Sequence, residues 1–137
     1  MKKHYLFVLL IFCCVNLKAQ NKVIAAKKEI GESAVIFNRK LPIKIDELTT
    51  AIIVKYNYES NELTYYFRVN DFNNTEINQQ TLDAFFEKAK DSAIKFIRNS
   101  PNNKAYLISQ LDFIYIYVDS NNELIYKYRI TPNDYNY

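Results

Sequence analysis

Asn78–Asn99, reading NQQTLDAFFEKAKDSAIKFIRN, decides how this chain folds. Leu82, Phe85, Phe86, Ala89, Ala93, Phe96 and Ile97 recur at spacings of three, one, three, four, three and one, an apolar stripe on a helix of 3.6-residue period. Asp83, Glu87, Lys88, Lys90, Asp91, Lys95 and Arg98 fall on the other side, with Asp91 and Lys95 an acid-before-base pair four apart. Pro101 stands just beyond the end, where it cannot continue the helix. The stripe is expected to be the core, so removal of the Phe85 or Phe96 ring should cost about 3–5 kcal/mol.

Outward from this helix, the chain reads as strand pairs and one further helix. Before it, Asn21 to about Arg39 carries Ala26, Ile30, Ala34 and Phe37 at helical spacing, continued by Leu41. Gly31 weakens its middle, and Pro42 turns Leu41 out of the helical region. Thr50–Tyr58 is a first strand, with Ile52, Val54, Tyr56 and Tyr58 on one face. Leu63–Asn70 is a second, with Leu63, Tyr65, Phe67 and Val69 alternating against Thr64, Tyr66 and Arg68. Glu59–Glu62 joins them as a hairpin turn. After the long helix come a short helical turn over Pro101–Gln110, a third strand at Phe113–Val118 and a fourth at Leu124–Thr131. Pro132–Tyr137 reads as a frayed tail.

Strand polarity suggests the strand order. The first and third strands are apolar on both faces, whereas the second and fourth each have a polar one, Thr64/Arg68 and Lys127/Arg129/Thr131. Two-sided apolar strands belong in the middle of a sheet. The expected fold is therefore α+β: an N-terminal helix, then a four-stranded antiparallel sheet (β-β-α-β-β, order 2-1-3-4) with the long helix across one face.

The start of the chain addresses it for export. Met1–Ala19 reads as a signal peptide, with Lys2 and Lys3 ahead of an apolar Tyr5–Val15 too short to span a bilayer. Cleavage after Ala19 leaves Gln20–Tyr137 as a single α+β domain, periplasmic or secreted, with no integral membrane span. Phe12 and Cys13 precede the two cysteines where a lipidation signal needs a small residue, so no lipid anchor is expected. Cleavage also changes the chemistry, because His4, Cys13, Cys14 and the only methionine leave with the leader. Eighteen Lys and Arg lose Lys2, Lys3 and Lys18, leaving fifteen against fifteen Asp and Glu. A nucleic-acid partner, which a basic balance would favour, is not expected.

The order of these parts carries a resemblance. A first helix, the Leu41-Pro42-Ile43-Lys44 lead-in, a hairpin, a long helix, a Pro-led short turn and a second hairpin together resemble the small β-type pilotins of type II secretion. The resemblance implies a β-β-α-β-β fold and a role in binding and escorting an outer-membrane secretin.

The remaining chemistry is sparse. Asp71–Thr75 and Asp119–Glu123 space oxygen ligands as calcium loops do, but Leu82 and Ile130 stand where the bidentate Glu belongs, so both read as solvated turns. Without His, Cys or a Gly-x-Ser-x-Gly elbow, the mature chain holds no catalytic constellation; Asp46/Glu47 and Asp83/Glu87 are surface carboxylates. Asp91-Ser92-Ala93 matches a short O-glycosylation signal and lies mid-helix. No enzyme activity, cofactor or metal is expected. The feature with chemical content is the second sheet face, where alternation gathers Lys55, Tyr66, Arg68, Lys127 and Arg129, cations beside an aromatic ring. Those five residues are the candidate partner-binding set, unless the first helix covers that face. Two functions fit: an exported protein-interaction module of the envelope, or a sugar- or small-ligand-binding domain using a tyrosine-rich sheet face. For the first, the exposed fourth strand would take an acidic partner strand, with Lys127 and Arg129 selecting it.

Overall fold

A computed structural model of the chain describes residues 2–70, 78–100 and 103–136. In order, the elements are α1 (Lys2–Asn38), β1 (Ile43–Lys44), β2 (Thr49–Asn57), β3 (Glu62–Val69), α2 (Gln79–Asn99), α3 (Lys104–Ser109), β4 (Asp112–Val118), β5 (Leu124–Ile130) and α4 (Pro132–Tyr135). The strands form one mixed sheet in the order β1-β2-β3-β4-β5. Every neighbouring pair is antiparallel except β3 and β4, which run parallel from Glu62↔Asp112 to Arg68↔Val118.

The class is α+β as the periodicity implies, but the count of four strands, the order 2-1-3-4 and the all-antiparallel pairing are corrected. Ile43–Lys44 adds a fifth strand, of two residues. The second predicted strand, β3, lies in the middle of the sheet. Both α1 and α2 contribute to one core on one sheet face, and among the described residues no helix covers the other. A polar residue is tolerated on that open face wherever its strand sits, so the half-buried Thr64 and Arg68 say nothing about an edge. The parallel joint is made through the connection: α2 and α3 return the chain to the starting end of β3, as parallel pairing requires. Asn61, left-handed in the β2–β3 turn, locks that joint, its Nδ2 donating to the carbonyls of Ser109 and Gln110 at 2.7 and 3.0 Å.

Val54 and Tyr56 share a face of β2 as expected, but the start of the strand is corrected. A bulge between Ala51 and Ile53 resets the alternation, so Ala51 pairs with Phe67 and Val54 with Tyr65 on the covered face, while Ile53 pairs with Tyr66 on the open one. The core gathers Ala26, Ile30 and Ala34 of α1, Leu82, Phe86 and Ile97 of α2, and Leu63, Phe113 and Ile130 of the sheet. The spacing 26-30-34 is the stripe expected of the first helix. Gly31, one position further on, faces Tyr56, whose ring lies 3.4 Å from where a Cβ would stand.

Side chains finish the helix ends. Asn78 caps α2, its side chain accepting from the Gln80 N–H at 2.7 Å. Buried Asn103 donates to the carbonyls of Phe96 and Ile97 at its far end. The expected frayed tail is instead a capped turn: Thr131 and Asp134 form a capping box, and Tyr135 is buried with its hydroxyl donating to the Leu111 carbonyl at 2.6 Å. Asn38, the last residue of α1, accepts from the Val54 N–H at 2.8 Å and donates to the Val54 carbonyl, side chain taking the place of a strand on the outer edge of β2.

Candidate functional site

The apolar stripe of α2 splits into two roles. Leu82, Phe86 and Ile97 are buried, and Phe86 stacks on Tyr126 at 4.3 Å with the rings nearly parallel. Phe85 and Phe96 are 61% and 64% exposed, so the expectation that both rings are core is overturned. A helix resting on a sheet buries only the arc that points down, and these two rings stand on one flank of that arc.

What they flank is a groove. Toward the N-terminal half of α2, a cavity of about 580 Å³ is walled by Phe85 and Ala89 on one side and by Ile45 and Leu48 on the other. Its floor is Phe67, Val69 and Tyr117. Ile45 and Leu48, in the β1–β2 turn, are each more than half exposed. The turn holds them there because the Asp46 carboxylate accepts from the Leu48 and Thr49 N–H groups at 2.9 and 2.7 Å. Toward the C-terminal half, Phe96 and Ile97 face Ile30, Ala34 and Phe37 of α1 across a second cavity of about 260 Å³, floored by Tyr65 and Tyr115.

The floor is a sheet of stacked rings. Tyr65 lies 5.3 Å from Tyr115, Phe67 lies 5.1 Å from Tyr117, and Tyr115 lies 4.8 Å from Tyr128, each pair near parallel. Burial pushes the Tyr65, Tyr115 and Tyr128 hydroxyls well above their ordinary pKa, so they are neutral hydrogen-bonding groups at any physiological pH. Tyr117 and Tyr128 lie 6.1 Å apart, ring centre to ring centre, and Tyr106 stands edge-on to Phe113. The tyrosine-rich face is thus the covered one, its rings stacked on each other beneath the helices. The groove offers shape and apolar surface, and among its described lining residues Asp46 is the one carboxylate, with no base beside it.

The five sequence-derived residues lie together, as alternation implies, on the open face opposite. The Lys55 ammonium sits 5.4 Å from the centre of the Tyr66 ring. Arg68 donates to the Asn122 side chain at 2.9 Å. Arg129 is held by the Asp112 carboxylate and by Glu62 at 2.7 Å, so its charge is already answered within the chain. Lys127 is exposed on β5, the outermost strand on its side of the sheet. Asp119 is not a free ligand: its carboxylate accepts from the Asn121 and Glu123 N–H groups at 2.8 Å and is largely buried. The Asp71–Thr75 loop lies outside the described residues. Among the described residues there is no cluster of three metal-ligating side chains, and no helix is long and apolar enough to cross a membrane.

The groove was missed because an apolar stripe for a core and one for a core plus a groove wall read alike. The available signal was Ile45 and Leu48, two large apolar residues in a turn with no helix or strand to bury them.

Comparison with known proteins places the fold. The chain belongs to a family described as a domain of unknown function, DUF8479, whose model matches residues 18–126. No curated protein sequence matches it. Among solved structures it has the fold of pilotins. The type 2 secretion pilotin EpsS of Vibrio vulnificus aligns with a TM-score of 0.60 at 15% identity, over 85% of this chain and 96% of that one. The type II secretion pilotin AspS of Vibrio cholerae gives 0.57 at 11%, over 84% and 96%. A candidate secreted protein of Pseudomonas aeruginosa, PA3611, gives 0.63 at 11%, over 82% and 95%.

Proposed function

We propose that this is an exported, non-enzymatic interaction module of the cell envelope, pilotin-like in action, which holds an apolar segment of an envelope protein in the groove beside α2. One observation carries the reading: Phe85, Ile45 and Leu48 are kept in water around a preformed apolar cavity, at a cost that a monomer with no guest has no reason to bear. The pilotin fold supports it, since the two Vibrio proteins sharing it serve type II secretion. Export fits the same picture. Cleavage after Ala19 would leave the part of α1 that carries Ala26, Ile30 and Ala34, and the family match begins at residue 18.

The open face and the β5 edge form a second surface, but Arg129 is paired there, which leaves Lys127 as a weak selector of an acidic strand. The test therefore compares the two surfaces. Affinity capture from an envelope extract is run with the wild type, Leu48→Asp, Phe85→Asp and the Lys127→Glu/Arg129→Glu pair. The expected result is one partner retained by the wild type and by the β5 pair and lost by both groove variants. A partner retained by the groove variants refutes the assignment, and an N-terminus other than Gln20 on the exported protein refutes the cleavage site.

A further inference from the structure

The second cavity has walls of its own, sharing no described lining residue with the groove. Phe96 lies about three turns along α2 from Phe85, and Phe37 near the end of α1. Both line this cavity and both reach solvent, so the two rings stand at its mouth. Deeper in, Tyr65 and Tyr115 belong to the covered sheet face yet are only half-buried, so the surface they keep faces the cavity. Tyr106 of α3 joins them there, edge-on to Phe113 at 5.3 Å.

The lining sets the chemistry of a guest. Among its described residues there is no Asp, Glu, Lys, Arg or His. An ion would give up its water with no counter-charge in return, so the guest is uncharged. Each phenol hydroxyl can donate and accept a hydrogen bond. An alkyl chain would press those hydroxyls against hydrocarbon and leave them without partners. A sugar has the opposite fault, because walls such as Ile30, Val54 and Leu63 answer none of its hydroxyls. A flat ring bearing an oxygen suits both the phenols and the walls, and the volume of about 260 Å³ keeps it small.

We propose that this cavity binds a small uncharged aromatic molecule carrying a hydroxyl or carbonyl oxygen, its ring held by Phe37 and Phe96 and its oxygen turned to Tyr65, Tyr106 and Tyr115. Aromatic rings at the mouth favour a flat guest, which they can meet edge to face. Burial holds the Tyr65 and Tyr115 hydroxyls protonated well beyond the ordinary tyrosine range, so they stay donors to that oxygen. The cavity and the groove have separate walls, so the inference is independent of what the groove holds.

The probe is β-naphthol, titrated into the purified protein by isothermal titration calorimetry, with naphthalene, octanol and methyl glucoside as its ring-only, chain and sugar counterparts. β-Naphthol is expected to bind at a single site with a Kd below about 1 mM, and about tenfold more tightly than each counterpart. Tyr115→Phe and Tyr106→Phe each keep the ring and remove a hydroxyl. Each should weaken β-naphthol by about tenfold and leave naphthalene unchanged. Phe96→Ala, at an exposed ring, should weaken both, and Leu48→Asp, in the groove wall, should weaken neither. Thermal unfolding of every variant separates a lost site from a lost fold. Absence of β-naphthol binding overturns the proposal, as does binding that Leu48→Asp abolishes and the two tyrosine variants leave intact. Equal affinity for naphthalene or octanol overturns it too, leaving a plain apolar recess, and tighter binding of the glucoside assigns the cavity to a sugar instead.

Discussion

Phe85 and Phe86 are neighbours in sequence and opposites in the structure, and truncating each to alanine separates folding from binding. Phe86 is 2% exposed, stacked on Tyr126 at 4.3 Å and tilted against Tyr117 at 4.7 Å. Its removal takes a whole ring from a packed site between helix and sheet, a loss of about 3–5 kcal/mol. At about 4 °C per kcal/mol for a domain of this size, the melting temperature should fall by about 12–20 °C. Phe85 keeps only part of its surface from water, touching Phe86 edge-on at 5.2 Å, so Phe85→Ala should cost less than about 1 kcal/mol. Differential scanning calorimetry measures both, and partner capture is read on the same samples. Phe85→Ala should weaken capture with little change in melting, while Phe86→Ala should lower melting. Equal melting shifts for the two, or a Phe85→Ala protein that melts early, would refute the division of the stripe into core and groove wall.

Other substitutions and conditions have outcomes of definite sign. Gly31→Ala should raise stability by up to about 1 kcal/mol, because the helix gains and the new methyl meets the Tyr56 ring at an ordinary 3.4 Å contact; a higher urea midpoint at unchanged slope is the readout. Tyr135→Phe keeps the ring, edge-on to Phe113, but leaves the buried Leu111 carbonyl without its donor, which should cost about 1–2 kcal/mol in urea unfolding. Burial raises Tyr65, Tyr115 and Tyr128 above their unfolded pKa, so the stability they confer is complete below about pH 10 and is lost as pH rises beyond it. Tyrosinate absorbance should therefore show an exposed group of tyrosines ionising near pH 10 and a buried group ionising only with unfolding; a single smooth titration of all of them counts against the stacked floor.

How much of this was legible in the sequence depends on what kind of signal each feature leaves. α2 was readable because seven apolar residues kept one helical period, yet the same period cannot tell Phe86, which the sheet covers, from Phe85, which it leaves bare. The alternation in β3 placed Tyr66 and Arg68 opposite Tyr65 and Phe67 correctly. In β2 the bulge at Ile52 added one residue and exchanged faces, and nothing in Ala51-Ile52-Ile53-Val54 marks it. The outer place of β5 followed from its polar face, while the same reasoning misplaced β3, because an open sheet face is polar at the centre as well as at the rim. The parallel joint was hidden by the long connection through α2, which permits either direction. The candidate cations were found where alternation put them, but the pairing of Arg129 with Glu62 and Asp112 depends on the β3–β4–β5 register, which no local pattern encodes.

The Asn38–Val54 contact bears on the behaviour of the protein at high concentration. In polymer chemistry a unit with two reactive ends grows into a chain, whereas a unit with one can only couple once and stop. A β-sheet is such a unit, its reactive ends being the outer strands. Here one end is short, β1 having two residues, and beyond it the amide of Asn38 occupies the backbone of Val54 as a terminating group would. Among the described residues β5 is the longer open end, and two molecules joined through it would present the short, capped edge on both sides. Edge-to-edge association of the sheet is therefore expected to favour pairs over fibres.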